Sequence, residues 1–164
     1  MKKKPTIYIE TSIISYLAAR PSPDLMTVAC QQVTTEWWEG SRRLYEVVTS
    51  ALVVAESREG DPRTAKKRLD LLRGIPVLTT TKDATELARA LTEKGALPQK
   101  AQADALHIAI AAAHGVDYLL TWNCRHIDNP ATKPLVREVC ASQGYVCPEI
   151  CTPFEIVERD EHEE

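Results

Sequence analysis

Four residues far apart in the chain share a chemistry and a setting. Glu10 closes the apolar run Ile7-Tyr8-Ile9. Glu56 follows Ala51-Leu52-Val53-Val54-Ala55, and Asp104 lies in the alanine-rich stretch 101–113. Asn123 follows Thr121-Trp122, just past the apolar run Tyr118-Leu119-Leu120. Each apolar run reads as a strand and each alanine-rich stretch as a helix. If the strands lie parallel, their carboxyl edge gathers Glu10 and Asn123, and the helices bring Glu56 and Asp104 to them. Three carboxylates and an amide offer hard oxygen donors, the ligands of a hard divalent cation.

Each residue also has a plainer explanation. Glu10 alone reads as a solvated strand end, and Thr11 and Ser12 as caps of a helix over 13–19. The Thr11 hydroxyl could equally hold a metal-bound water. Glu56 sits in a stretch apolar nearly all round, which predicts a buried helix and a carboxylate in need of a partner. Asp104 is the acid least explained by packing, since apolar side chains surround it. His107 lies three residues on, on the same helical face, and is placed either to orient a carboxylate or to sit half-buried in the core. Asn123 is also a common turn residue. Asp128 is near enough in sequence to add a carboxylate. Asp117 begins its strand and belongs at the opposite edge.

The elements that position these residues alternate. Strands are expected over 6–10, 46–49, 77–79 and 118–121, with a weaker one over 146–150, and helices lie between them. This predicts an α/β fold with a central parallel sheet of four to five strands and helices on both faces. Ser50 is a candidate cap for the helix over 51–57. Pro62 follows Gly60-Asp61 and suits a first turn. A long helix is expected over 24–42. Of the adjacent Trp37 and Trp38, one belongs in the core and the other lines a groove or an oligomer interface.

Composition narrows the classes. One domain over 1–154 is expected, with an acidic, disordered tail over 155–164. The last ten residues carry six acids and one arginine, so the −3 net charge conceals a body of +2. Its bases cluster as Arg63, Lys66, Lys67, Arg68 and Arg73, and as Lys100, Arg125, Lys133 and Arg137. They read equally as solvated helix faces and as phosphate contacts. No apolar run of membrane-spanning length is present, and no apolar stretch follows Lys2–Lys4 to make a signal peptide. Five scattered cysteines, without paired C-x-x-C spacing, fit reduced thiols in a cytoplasmic protein and argue against zinc. Dinucleotide, P-loop and G-x-S-x-G signatures are absent. The run Glu10-Thr11-Ser12 also lacks the D-x-D arrangement of aspartate-nucleophile phosphatases.

The order of these residues resembles the PIN-domain nucleases, including the VapC-type toxins of toxin–antitoxin pairs. The resemblance spans about residues 7–154. It rests on an acid ending the first strand (Glu10), a Glu in the helix after the second (Glu56), an Asp in an alanine-rich helix (Asp104), and a T-x-D/N pattern (Thr121-Trp122-Asn123). It implies a PIN-like α/β/α sandwich and a Mg²⁺- or Mn²⁺-dependent ribonuclease that hydrolyses RNA phosphodiester bonds. Glu10, Glu56, Asp104 and Asn123 would be catalytic, and the three acids would be the metal ligands. Thr11, Ser12, His107, Thr121 and Asp128 would support them, and Lys100 and Arg125 would touch the RNA. An antitoxin protein and a second copy of the chain are the implied partners. Two departures stand out. The first strand usually ends in Asp, and the T-x-D position often holds an acid where this chain has the neutral Asn123. A catalytically weak RNA-binding or adaptor module is therefore the alternative, and a DNA-directed nuclease on a similar fold is a third reading.

Overall fold

The computed structural model describes residues 2–156. The expected acidic tail falls outside them, except for Glu155 and Ile156. The strands are β1 (Thr6–Ile9), β2 (Glu46–Ser50), β3 (Val77–Leu78), β4 (Tyr118–Leu120) and β5 (Glu149–Cys151). The helices are α1 (Thr11–Ala18), α2 (Leu25–Glu39), α3 (Ala51–Ser57), α4 (Pro62–Leu72), α5 (Lys82–Glu93), α6 (Gln102–Ala113), α7 (Lys133–Ser142) and α8 (Pro153–Ile156). All strand pairs are parallel, in the order β3-β2-β1-β4-β5. The chain winds outward from β1 to β3 and then returns to the other side of β1. The direction of winding therefore reverses between β1 and β4, where parallel sheets open a crevice at their carboxyl edge.

β1 is the centre of the sheet, and Ile7, Tyr8 and Ile9 are all fully buried. A strand covered on both faces reads as a continuous apolar run, as this one does. α1 packs against α2, α3 and α4, and α5 packs against α6 and α7, giving a helical layer on each side. Asp117 lies at the amino edge, as expected, and accepts from the Thr6 amide (2.8 Å) and hydroxyl (2.9 Å). Trp37 is fully buried, while Trp38 is half-buried with the Arg42 guanidinium 4.0 Å above its ring.

Local signals set most boundaries. Ser50 caps α3 by accepting from the Val53 amide (3.2 Å), and Asp61 caps α4 with Pro62 in its first turn. Gly115 ends α6 at φ +67°, which a side-chain-bearing residue adopts only with strain. Four expectations shift. α1 starts at Thr11 because Glu10, ahead of the expected capping pair, supplies the cap. α2 stops at Glu39, and residues Ser41–Leu44 form a 3₁₀ turn after Gly40. The last strand lies at Glu149–Cys151, later than expected. α3 is not buried all round. Only Val53 and Ser57 are buried, and Ala51 and Ala55 face solvent, because α1 and α4 cover one side of this short helix.

Candidate active site at the carboxyl edge of the sheet

Glu10 is 6% exposed and sits where β1 becomes α1. Its Oε2 accepts from the Ser12 amide (3.0 Å), the Ser12 hydroxyl (2.5 Å) and the Thr121 hydroxyl (2.9 Å). Glutamate is an uncommon helix cap. Here its extra methylene lets the carboxylate fold back over its own helix start while also meeting the end of β4. Both hydroxyls are held from behind: the Trp122 amide donates to Ser12 (2.8 Å), and the Asn123 amide donates to Thr121 (2.9 Å). The ends of β1 and β4 are thus tied through one buried carboxylate.

Glu56 lies on the last turn of α3, its side chain 31% exposed. Its Oε1 accepts from the Thr11 hydroxyl (2.6 Å) and pairs with His107 Nε2 (2.6 Å). His107 is buried, and its Nδ1 meets the Tyr8 hydroxyl at 2.7 Å. That hydroxyl also meets Ser50 Oγ at 2.7 Å. The chain Ser50–Tyr8–His107–Glu56 therefore runs from the cap of α3 to its last turn, by way of β1 and α6. Partial burial alone would raise the Glu56 carboxyl. The His107 hydrogen bond, the His107 charge and the Thr11 hydroxyl outweigh it and hold Glu56 below the usual carboxylate range. Burial pushes the Tyr8 hydroxyl far up; the Ser50 bond opposes this, and the Glu10 and Glu56 charges add to it. Tyr8 therefore stays a neutral hydroxyl.

Asp104 occupies the first turn of α6, half-buried, one turn ahead of His107. Among the described residues it has no hydrogen-bond or ion-pair partner. The N-cap residue of α6, Ala101, makes no side-chain cap bond. Lys100 and Arg125 are exposed in the loops before α6 and after β4. Asn123 acts as a turn residue, its Oδ1 accepting from the His126 amide at 3.0 Å. Asp128 is buried and paired with Lys133 Nζ at 2.5 Å.

The donor chemistry suits a hard cation. Among the described residues, Glu10 Oε1, Glu56 Oε2 and both Asp104 oxygens have no protein donor on them, and all are carboxylate oxygens. The acids do not, however, form a ready cage: among the described residues no three His, Cys, Asp or Glu groups stand close enough together to hold an ion. The hydroxyls and His107 draw Glu10 and Glu56 back against the scaffold, while mutual repulsion favours keeping Asp104 apart.

Sequence reasoning misses Tyr8 and the second role of Ser50. The signal is present, since residues 8 and 10 are two apart on a strand and so share a face. A surface recess of about 1070 Å³ among Lys2–Thr6, Asp117 and Glu149 lies at the amino edge, and none of the three site acids lines it.

No curated protein sequence matches the chain. Among solved structures, Mycobacterium tuberculosis VapC20, a Sarcin-Ricin loop cleaving toxin, is 18% identical, with a TM-score of 0.58 over 76% of this chain and 95% of its own. Rickettsia felis VapBC2, bound to a DNA fragment from its promoter, is 16% identical, with a TM-score of 0.57 over 90% of this chain and 98% of its own. At such identities the likeness is one of fold. The PIN domain family model matches residues 7–127, a span that holds Glu10, Glu56, Asp104 and Asn123. On that match, and on a fold shared with VapC structures, this chain belongs to the PIN-domain family.

Proposed function

We propose that this protein is a divalent-metal-dependent endoribonuclease, the toxin of a toxin–antitoxin pair. The observation that carries the reading is Asp104, a half-buried acid with no protein partner among the described residues, one turn from the histidine that anchors Glu56. A carboxylate left free in that setting has a ligand's role. Family membership and the VapC fold agree with it.

Glu10 and Asp104 would hold Mg²⁺ or Mn²⁺, with Glu56 and Asn123 beside them. The bound ion supplies Lewis acidity toward a phosphodiester and lowers the pKa of a water nucleophile. The chain's own residues do the positioning. Ser12 and Thr121 fix one oxygen of Glu10 and leave the other without a donor among the described residues. Thr11 and His107 do the same for Glu56. Lys100 and Arg125 stand exposed at the crevice loops, where an RNA backbone would pass. By analogy with VapBC2, the natural partner is an antitoxin protein, and a second copy of the chain is the other expected partner. No described helix is long and apolar enough to cross a membrane.

Asp104→Asn tests the reading. Loss of a positioned charge at the reacting centre should lower metal-dependent RNA cleavage at least about 10²-fold. Equal cleavage by wild type and variant, with contaminating nuclease excluded, would overturn it. One observation favours a second reading, an RNA-binding or adaptor module with little turnover: Asn123 is neutral and its oxygen is spent on a turn. No cleavage of any RNA in Mg²⁺ or Mn²⁺ would select that module.

A further inference from the structure

The basic residues of α4 look alike in the sequence but not in the structure. Lys66 and Arg73 each pair with Asp70 at 3.0 Å. Arg68 turns inward, and its guanidinium donates to the Ser57 carbonyl (3.0 Å) and the Glu59 carbonyl, tying α4 to the end of α3. Arg63 and Lys67 remain, exposed and without an ion-pair partner among the described residues. One turn apart on α4, they line a recess of about 690 Å³, and Arg20 joins them from just beyond α1. Ala18, Thr64 and Asp61 complete the lining. Asp61 is the one acid there. Its Oδ2 accepts from the Thr64 amide (2.9 Å) and hydroxyl (3.0 Å), and these bonds, then Arg20, hold its carboxyl below its usual range. Three cations against one carboxylate leave the recess at +2.

The recess is placed for a polymer that crosses the acid site. α1 begins at the Glu10 cap and ends at Ala18, about 12 Å of helix at 1.5 Å per residue. Glu56 lies at the end of α3, and the cap of α4 follows five residues later. A strand whose phosphate lies at the acids therefore reaches the recess a few nucleotides away. Such a distance suits a second backbone contact, which positions a strand without reading its sequence.

We propose that Arg20, Arg63 and Lys67 form a phosphate subsite for single-stranded RNA, holding the backbone a few nucleotides from the acids. The proposal rests on the ribonuclease reading for its ligand. Its test is equilibrium binding and needs no turnover. Fluorescence anisotropy of labelled RNA oligomers of about 4 and about 16 nucleotides would be followed with the full chain in EDTA. Salt would run from roughly 50 to 200 mM, and each phosphate no longer neutralised should lower the slope of log K against log salt by about 0.7. Arg63→Gln/Lys67→Gln should reduce the slope for the longer oligomer by about 1.4. Lys66→Gln/Arg73→Gln removes the same charge from the same helix but only from paired residues. It should change the slope much less. The shorter oligomer offers fewer phosphates, so its slope should be smaller throughout and should fall only in Arg63→Gln/Lys67→Gln.

All four side chains are exposed, so thermal melting verifies that each variant folds. Equal slope losses in the two doubles would mean a diffuse field and overturn the subsite, as would an unchanged slope in Arg63→Gln/Lys67→Gln. A loss seen with DNA and not with RNA would overturn the assignment to RNA. The ribonuclease reading fails separately, through unchanged cleavage in Asp104→Asn, and the binding slopes are unaffected by that result.

Discussion

The three acids should respond to neutralisation with different signs. Glu56→Gln keeps an acceptor oxygen but loses the charge that strengthens the 2.6 Å bonds from Thr11 and His107. Bonds to charged groups contribute about 1.5–3 kcal/mol each, and the amide retains part of both. With the side chain 31% exposed, screening trims the loss to about 1–2 kcal/mol. For a chain of this size that is about 2–8 °C in Tm, downward. Glu10→Gln should also melt lower, since one oxygen gathers three donors. Asp104→Asn removes no bond and relieves repulsion. For charges about 8 Å apart, with an effective dielectric between about 20 and 80, such repulsion is about 0.5–2 kcal/mol per pair, so Tm should rise by about 1–8 °C for each pair relieved. Melting curves in EDTA at neutral pH give the signs. Repeating them with Mn²⁺ should raise wild type, by up to about 2.7 kcal/mol at a hundredfold excess over Kd, and each variant less. If Asp104→Asn melts as far below wild type in EDTA as Glu56→Gln does, Asp104 is structural and the reasoning from its freedom fails.

The depressed Glu56 carboxyl adds a pH signature. Because its folded value lies below its unfolded one, its contribution is complete above the unfolded carboxylate value, about 4.3, and is lost as pH falls through the folded value. Urea titrations should show wild type losing this increment below about pH 4 and Glu56→Gln not; parallel pH profiles would refute it. Tyr8→Phe strands His107 Nδ1 in the core and leaves the Ser50 hydroxyl with the Val53 amide alone, at about 1–3 kcal/mol, so Tm should fall by about 2–12 °C. An unchanged Tm would mean the buried chain contributes nothing. Asn123→Asp should tighten Mn²⁺ binding in calorimetric titration, and unchanged affinity would remove Asn123 from the ligand set.

The fold is legible where one local signal dominates. The apolar run of β1, the Ser50 cap and the Pro62 start of α4 each depend on a few neighbouring residues, and each lies where the sequence places it. The end of α2 is not legible, because the pattern over 24–42 stays compatible with helix and only Gly40 interrupts it. Burial of α3 misleads for a related reason. Small alanines read as apolar, yet two of them face water. At the site, residue types point to the right edge of the sheet, but pairing does not follow from type. Nothing local says that Asp128 meets Lys133 while Asp104 has no partner among the described residues. Such facts depend on which helices become neighbours. The Tyr8 hydroxyl is the instructive omission: its ring reads as core, whereas its tip belongs with the acids.

The place of β1 at the centre of the sheet has a consequence for synthesis. Its partner on one side, β2, follows closely. On the other side, β4 arrives only after more than a hundred residues, and the Glu10–Thr121 bond spans 111 positions. Such long-range pairing is slow to form, because the loop must close before any contact rewards it. At about 5–20 residues per second, Glu10 leaves the ribosome several seconds before Asp104 and Thr121 exist to meet it. A nascent chain thus carries two of its three site acids, Glu10 and Glu56, before the third exists. Were this protein to cleave RNA, it would be inert toward the message it is being read from until most of its length had emerged.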